Sequence, residues 1–91
     1  MKAAEWIAKV KKHTGITSDY GVAKAVGLSR QALSDIRNGR TTTLGEDSSI
    51  RVAQALGATP AAVVLDQAAE RVKEPEIRAA LLDAAQRLYI M

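Results

Sequence analysis

The side chains with the most distinctive chemistry lie close together, in Arg30-Gln31-Ala32-Leu33-Ser34-Asp35-Ile36-Arg37. At about 100° per residue, a helix through this stretch puts Ala32, Leu33 and Ile36 on one side. Arg30, Gln31, Ser34 and Asp35 fall on the other, with Arg37 on the flank. The polar side thus carries forked or paired hydrogen-bonding groups. Arginine matches guanine O6 and N7 with two bonds, glutamine matches adenine N6 and N7, serine suits several edges, and aspartate accepts from cytosine N4. Arg30 falls in the first helical turn, where the helix dipole disfavours a cation by about 0.3–1 kcal/mol. A cation placed there against local preference suits an anionic or acceptor-rich partner. The chemistry implied is the reading of base edges.

Other chemistries find little to work with. His13 is the only histidine and there is no cysteine, so no metal-ligand set and no disulfide framework can be assembled. Serines and aspartates are plentiful, but none is spaced to sit beside His13, and no nucleophile elbow or phosphate loop occurs. His13 reads as a helix-end residue. Neither catalysis nor a cofactor is expected. No signal peptide precedes the first helix, and the longest clearly apolar run, residues 61–65, is far too short to span a bilayer. A cytoplasmic protein with no membrane partner is the expectation.

The elements that must hold Arg30 and Gln31 in place can be read outward from them. Residues 19–40, DYGVAKAVGLSRQALSDIRNGR, read as two short helices joined by a tight turn at Gly27-Leu28-Ser29, with a further turn at Asn38-Gly39. Ser18 caps the first helix and Ser29 the second, because a serine oxygen accepts from an otherwise orphan backbone N–H. Val22, Ala23 and Val26 repeat at helical spacing, as do Leu33 and Ile36. Ala23 is small where two helices cross closely, and Gly27 stands where the backbone needs positive φ. Length, turn residues and apolar positions agree on a helix-turn-helix.

These residues resemble the lambda-repressor-like DNA-binding domains of phage and bacterial regulators. That family commonly reads Gln-x-x-Leu-Ala, a spacer, Gly-Val-Ser, then a recognition helix ending in a small turn. The likeness covers about residues 3–66 by the helix pattern. It implies that Arg30, Gln31, Ser34 and Asp35 face base edges, while Asn38, Arg40 and Thr41 approach phosphates. Arg37, Lys24 and Tyr20 complete the phosphate-binding set. Asp19 departs from the pattern, standing where the family places its glutamine. A carboxylate repels phosphate, so that contact does not carry over, and Asp19 is read as a first-turn residue favoured by the helix dipole.

The remaining chain supplies the frame. Ninety-one residues suffice for one core, and 47% apolar content with only 3% aromatics points to a helical core of Ala, Val, Leu and Ile. An all-α fold follows, a five-helix domain over residues 1–66 with an added C-terminal helical extension over 67–91. Residues 3–13 form the first helix, with Ala3, Ile7 and Val10 on one stripe and Trp6 packing beside them. Thr14-Gly15 ends it, and Ile16 tucks back onto the core. Residues 40–49 read as a polar loop anchored by Leu44. A fourth helix over 48–57 turns Ile50, Val52, Ala53 and Leu56 inward. Thr59 as a capping threonine and Pro60 at the first helical position start a fifth helix over 60–73, with Val63, Val64, Leu65, Ala68 and Val72 inward. Glu74-Pro75-Glu76 restarts the chain into a sixth, carrying Ile77, Ala80, Leu81, Ala84, Ala85 and Leu88.

Charge is unevenly shared. Residues 1–40 hold eight Lys/Arg against Glu5, Asp19 and Asp35, a net +5, whereas residues 41–91 hold five basic and seven acidic side chains, a net −2. The positive field coincides with the helix-turn-helix and suits the phosphate backbone of double-stranded DNA. The sixth helix is apolar beyond the needs of a five-helix core. It can fold back, or pair with a second subunit through Ile77, Leu81, Ala84 and Leu88, and the dimer is favoured because helix-turn-helix proteins bind paired half-sites. The expected protein is a small phage or prophage repressor on a palindromic operator, with an antirepressor as a possible further partner. Two alternatives share the fold: an antitoxin whose last helices hold a toxin, and an interaction module that no longer binds DNA.

Overall fold

Serine caps define the two helices at the centre of the molecule. Ser18 Oγ accepts from Gly21 N at 3.0 Å and Ser29 Oγ from Ala32 N at 3.0 Å, each satisfying a donor that the helix itself leaves unpaired. The computed structural model describes residues 1–90 and contains α1 (Ala3–Thr14), α2 (Asp19–Ala25), α3 (Arg30–Arg37), α4 (Glu46–Leu56), α5 (Pro60–Arg71) and α6 (Pro75–Ile90). No strand occurs among the described residues. Between α2 and α3 the chain turns at Gly27, whose φ of +69° is costly for any residue with a Cβ. A Cβ there would meet only exposed side chains, Arg51 Cδ at 2.7 Å and Asp47 Oδ2 at 3.3 Å, so the positive φ rather than lack of space calls for glycine. Gly15 likewise adopts the left-handed conformation and returns its N–H to the Lys11 carbonyl, ending α1.

One core joins all of the first five helices. Trp6, Ile7 and Val10 of α1 meet Val22, Ala23 and Val26 of α2, Leu33 and Ile36 of α3, Val52 and Ala53 of α4, and Val63 of α5. Leu33 and Ile36 are nearly fully buried, and each contributes about 1.5–3 kcal/mol of transfer free energy. Burying that side of α3 obliges its opposite side to face outward. Trp6 is a packing residue, as its position predicts, and Leu44 is the inward anchor of its loop at 1% exposure.

Four expectations are corrected. The helix α4 begins at Glu46, two residues before Ser48, because Gly45 takes the cap position and Glu46 and Asp47 fill the first turn where the dipole favours acids. Ser48 and Ser49 are therefore buried helix residues, while Ile50 is only half-buried. The helix α5 stops at Arg71 because Val72 is extended ahead of Pro75. Thr59 precedes Pro60 as expected, yet its hydroxyl makes no cap bond.

The buried face of α5 is also not the apolar stripe. Ala62, Val63, Asp66, Gln67 and Ala69 point inward, whereas Val64, Leu65, Ala68 and Val72 are half-buried. Asp66 accepts from the Trp6 indole N–H at 2.9 Å and from the Met1 α-ammonium at 2.9 and 3.0 Å. Gln67 accepts from Leu44 N at 2.7 Å and donates to the Met1 carbonyl at 2.8 Å. Polar burial is tolerated here because every group has a partner.

Finally, α6 folds back along α5. Its inward line runs through Leu82, Ala85 and Tyr89, with Ala85 buried and the Tyr89 ring edge-on to Trp6 at 5.7 Å between centroids. Arg78 pairs with Glu70 at 3.2 Å, tying the start of α6 to the end of α5. This line runs beside the stripe expected at Ile77, Leu81, Ala84 and Leu88 and overlaps it, since Leu82 is half-buried and Tyr89 itself 37% exposed. Ile77 is 54% exposed and the other three are half-buried.

Candidate nucleic-acid interface

Between α2 and α3 lies an open groove of about 450 Å³, floored by Ala23 and Leu33 and edged by Asp19, Tyr20, Arg30, Ser34, Arg37 and Asn38. Arg30 and Gln31 are exposed on α3, and Ser34 and Asp35 sit half-buried one turn later. Tyr20 is 66% exposed at the amino end of α2. Lys24, Arg37, Asn38, Arg40 and Thr41 are all exposed. Among the described residues no acidic side chain lies within salt-bridge distance of Arg30 or Lys24. Both cations are thus available to a partner.

Several of these side chains are tied to one another. Asn38 Nδ2 donates to Ser34 Oγ at 3.3 Å. Asp35 Oδ1 accepts from Gln31 Nε2 and from Arg40 Nε, both at 2.9 Å. The Asp35 carbonyl also accepts from the backbone N–H of Arg40 at 2.8 Å and of Thr41 at 3.1 Å. Arg40, then Gln31, hold the Asp35 carboxyl below the usual carboxylate range. The segment after α3 is pinned at its far end too, since Ala3 N donates to the Thr42 carbonyl at 2.9 Å. Two helices and the loop that follows them thus carry polar groups around the rim of the groove.

Asp19 has a specific role that its departure from the family pattern did not reveal. Its Oδ1 accepts from Lys11 Nζ at 2.9 Å, and its Oδ2 pairs with the Arg37 guanidinium. Those partners, Lys11 first, lower its pKa from the ordinary value. A carboxylate at this edge gathers cations from α1 and α3 and partly neutralises them. Replacing Asp19 with asparagine is expected to tighten binding to every DNA sequence, and to steepen the fall of log K with log salt by about 0.9 per released cation. Anisotropy titrations across salt concentrations would check it. Weaker binding instead would mean that Asp19 holds Arg37 in its working position.

The Lys11–Asp19–Arg37 and Gln31–Asp35–Arg40 clusters escape a reading of helix faces. Only the Gln31–Asp35 pair, four residues apart, carries a local signal, because Gln and Asp at that spacing bond along a helix. The other partners come from different elements.

A two-helix unit with a buried inner face, an outer face of base-matching groups and a surrounding basic field defines a DNA-binding protein of the helix-turn-helix class. A family model described as helix-turn-helix matches residues 8–63. The chain belongs to this lambda-repressor-like, Cro-type family of DNA-binding transcriptional regulators. The matched span ends within α5, so α6 lies beyond it. No curated protein matches the chain significantly, and no solved structure does. No helix among the described residues is long and apolar enough to cross a membrane.

Proposed function

We propose that the protein is a small repressor of the phage or prophage kind, which binds a palindromic operator as a dimer and denies the promoter to polymerase. The observation that carries this reading is the face of α3: Arg30 and Gln31 stand exposed beside a cationic rim, on a helix whose other side is locked into the core. In this reading Arg30, Gln31 and Ser34 meet base edges in the major groove, while Asp35, expected among them, has its carboxylate engaged by Gln31 and Arg40 instead. Lys24, Arg37, Asn38, Arg40, Thr41 and Tyr20 hold the flanking phosphates and so fix register. Residues 67–91 form the extension through which two copies join, with Ile77, Leu81, Ala84 and Leu88 at the seam. Half-sites about one helical turn apart, roughly 34 Å, suit a two-fold pair.

Selection from random duplexes tests this directly. A recovered palindrome is the expected result. On it, Arg30→Ala should cost about 1–3 kcal/mol and relax preference at one base pair, whereas Arg40→Ala should weaken all sequences alike. Equal losses on operator and random DNA for Arg30→Ala would remove Arg30 from base reading.

A further inference from the structure

We propose that Asp35 is a positioning residue of the DNA-reading face: its carboxylate sets the amide orientation of Gln31 and couples that amide to the backbone-gripping Arg40. The inference rests on the DNA-reading assignment above and says how one of its contacts acquires selectivity.

The geometry has three parts. A single oxygen, Asp35 Oδ1, receives Gln31 Nε2 and Arg40 Nε at 2.9 Å each. The Asp35 main-chain oxygen receives the N–H groups of Arg40 and Thr41. The Asp35 side chain is 28% exposed, shielded relative to Arg40 at 60%. An ionised carboxylate can only accept, so the glutamine must turn its NH₂ toward it and its carbonyl oxygen away. One amide hydrogen is consumed and the other remains, beside the free oxygen. An outward edge with one N–H and one C=O is the pair that adenine N7 and N6 require.

Without the carboxylate the amide flips freely, and a flipped glutamine offers donor and acceptor in exchanged places. Selectivity at that base pair then falls, although Gln31 itself is still present. Arg40 is affected through the same atom. With Nε engaged, its two Nη groups remain for phosphate oxygens, held in a fixed plane rather than on a swinging stem. Base reading and backbone grip thus become one unit, because both are anchored to Oδ1.

The test compares wild type, Gln31→Ala, Asp35→Ala and Asp35→Asn by selection from random duplexes, then by titration against single base-pair variants of the winner. In the wild type one base pair should prefer adenine, roughly tenfold or more. Asp35→Ala should flatten preference at that same base pair and leave the others. The double variant Gln31→Ala/Asp35→Ala should lose no more discrimination there than either single change. Asp35→Asn, which keeps the shape and one acceptor oxygen, should fall between and guards against a fold lost in the alanine variant. Preference retained at the Gln31 base pair in both Asp35 variants would overturn the inference while the DNA-reading assignment stood. So would a change confined to a different base pair, since Asp35 would then touch a base itself. A wild type with no preference anywhere would overturn both.

Discussion

Asp66→Ala should lower the unfolding free energy by about 3–5 kcal/mol, the usual cost of removing one partner from a buried charge-bearing network. The carboxylate is the meeting point of the Met1 α-ammonium, the Trp6 indole N–H and the Gln67 amide, at 2.9 to 3.0 Å. Deleting it strands the indole donor inside the core, where an unpaired group costs about 1–3 kcal/mol. It also leaves a partly buried ammonium with only Glu70, at 3.1 Å, for company. For a domain whose net stability is about 5–15 kcal/mol, the loss is a large share. Urea unfolding followed by the fluorescence of Trp6, the only tryptophan, reports from the affected spot. The midpoint should drop with an unchanged m-value. Asp66→Asn keeps an acceptor for Trp6 and should cost less. A loss under about 1 kcal/mol for the alanine variant would show that the network contributes little beyond packing.

The consequence reaches the DNA-binding surface by a traceable route. Gln67, beside Asp66, accepts from Leu44 N, and the Arg71 guanidinium donates to the Leu44 carbonyl. Leu44 anchors the segment that leaves α3, the same segment that holds Arg40 and Thr41 against the Asp35 carbonyl. Loosening α5 therefore frees the far end of a loop whose near end lies at the recognition helix. Phosphate contacts from that loop would weaken before base contacts from α3 do.

This route also explains what a sequence can reveal. The caps at Ser18 and Ser29, the turn at Gly27 and the apolar positions of α2 and α3 obey rules spanning three or four residues, so they are legible. Asp66 is not, because the partner that makes its burial affordable, Trp6, lies sixty residues away. A polar residue on a helix reads as solvent-facing until its distant partner is known. The inward line of α6 was obscured similarly: Ile77, Leu81, Ala84 and Leu88 make the tidier apolar stripe, but Tyr89 finds Trp6, and Lys9 stands 5.8 Å from its ring centroid. At the candidate site, residue types showed which side chains could meet a base. Their ties to one another became visible only once α1, α2, α3 and the following loop were brought together.

The partly exposed stripe on α6 carries the other large expected effect, the loss of the proposed dimer in Ile77→Glu. Ile77 is more than half exposed, an unfavourable place for a large aliphatic side chain in a monomer, and it continues into half-buried Leu81, Ala84 and Leu88. In a two-fold contact the same patch serves both partners, so one substitution introduces two carboxylates. Each is buried without a counter-ion, and together they should cost at least about 3 kcal/mol, more than a hundredfold in the dimer dissociation constant. The protomer should keep its fold, because an exposed substitution away from the core changes stability by about 0.5 kcal/mol or less. Sedimentation should therefore show a monomer with wild-type melting behaviour. Operator binding should weaken sharply while binding to random DNA changes little, since the phosphate contacts of one protomer survive and only the paired half-sites are lost. A variant that stays dimeric would place the seam on another surface. A wild type that is itself monomeric, yet selects a single half-site, would leave Ile77 exposed for a different protein to cover.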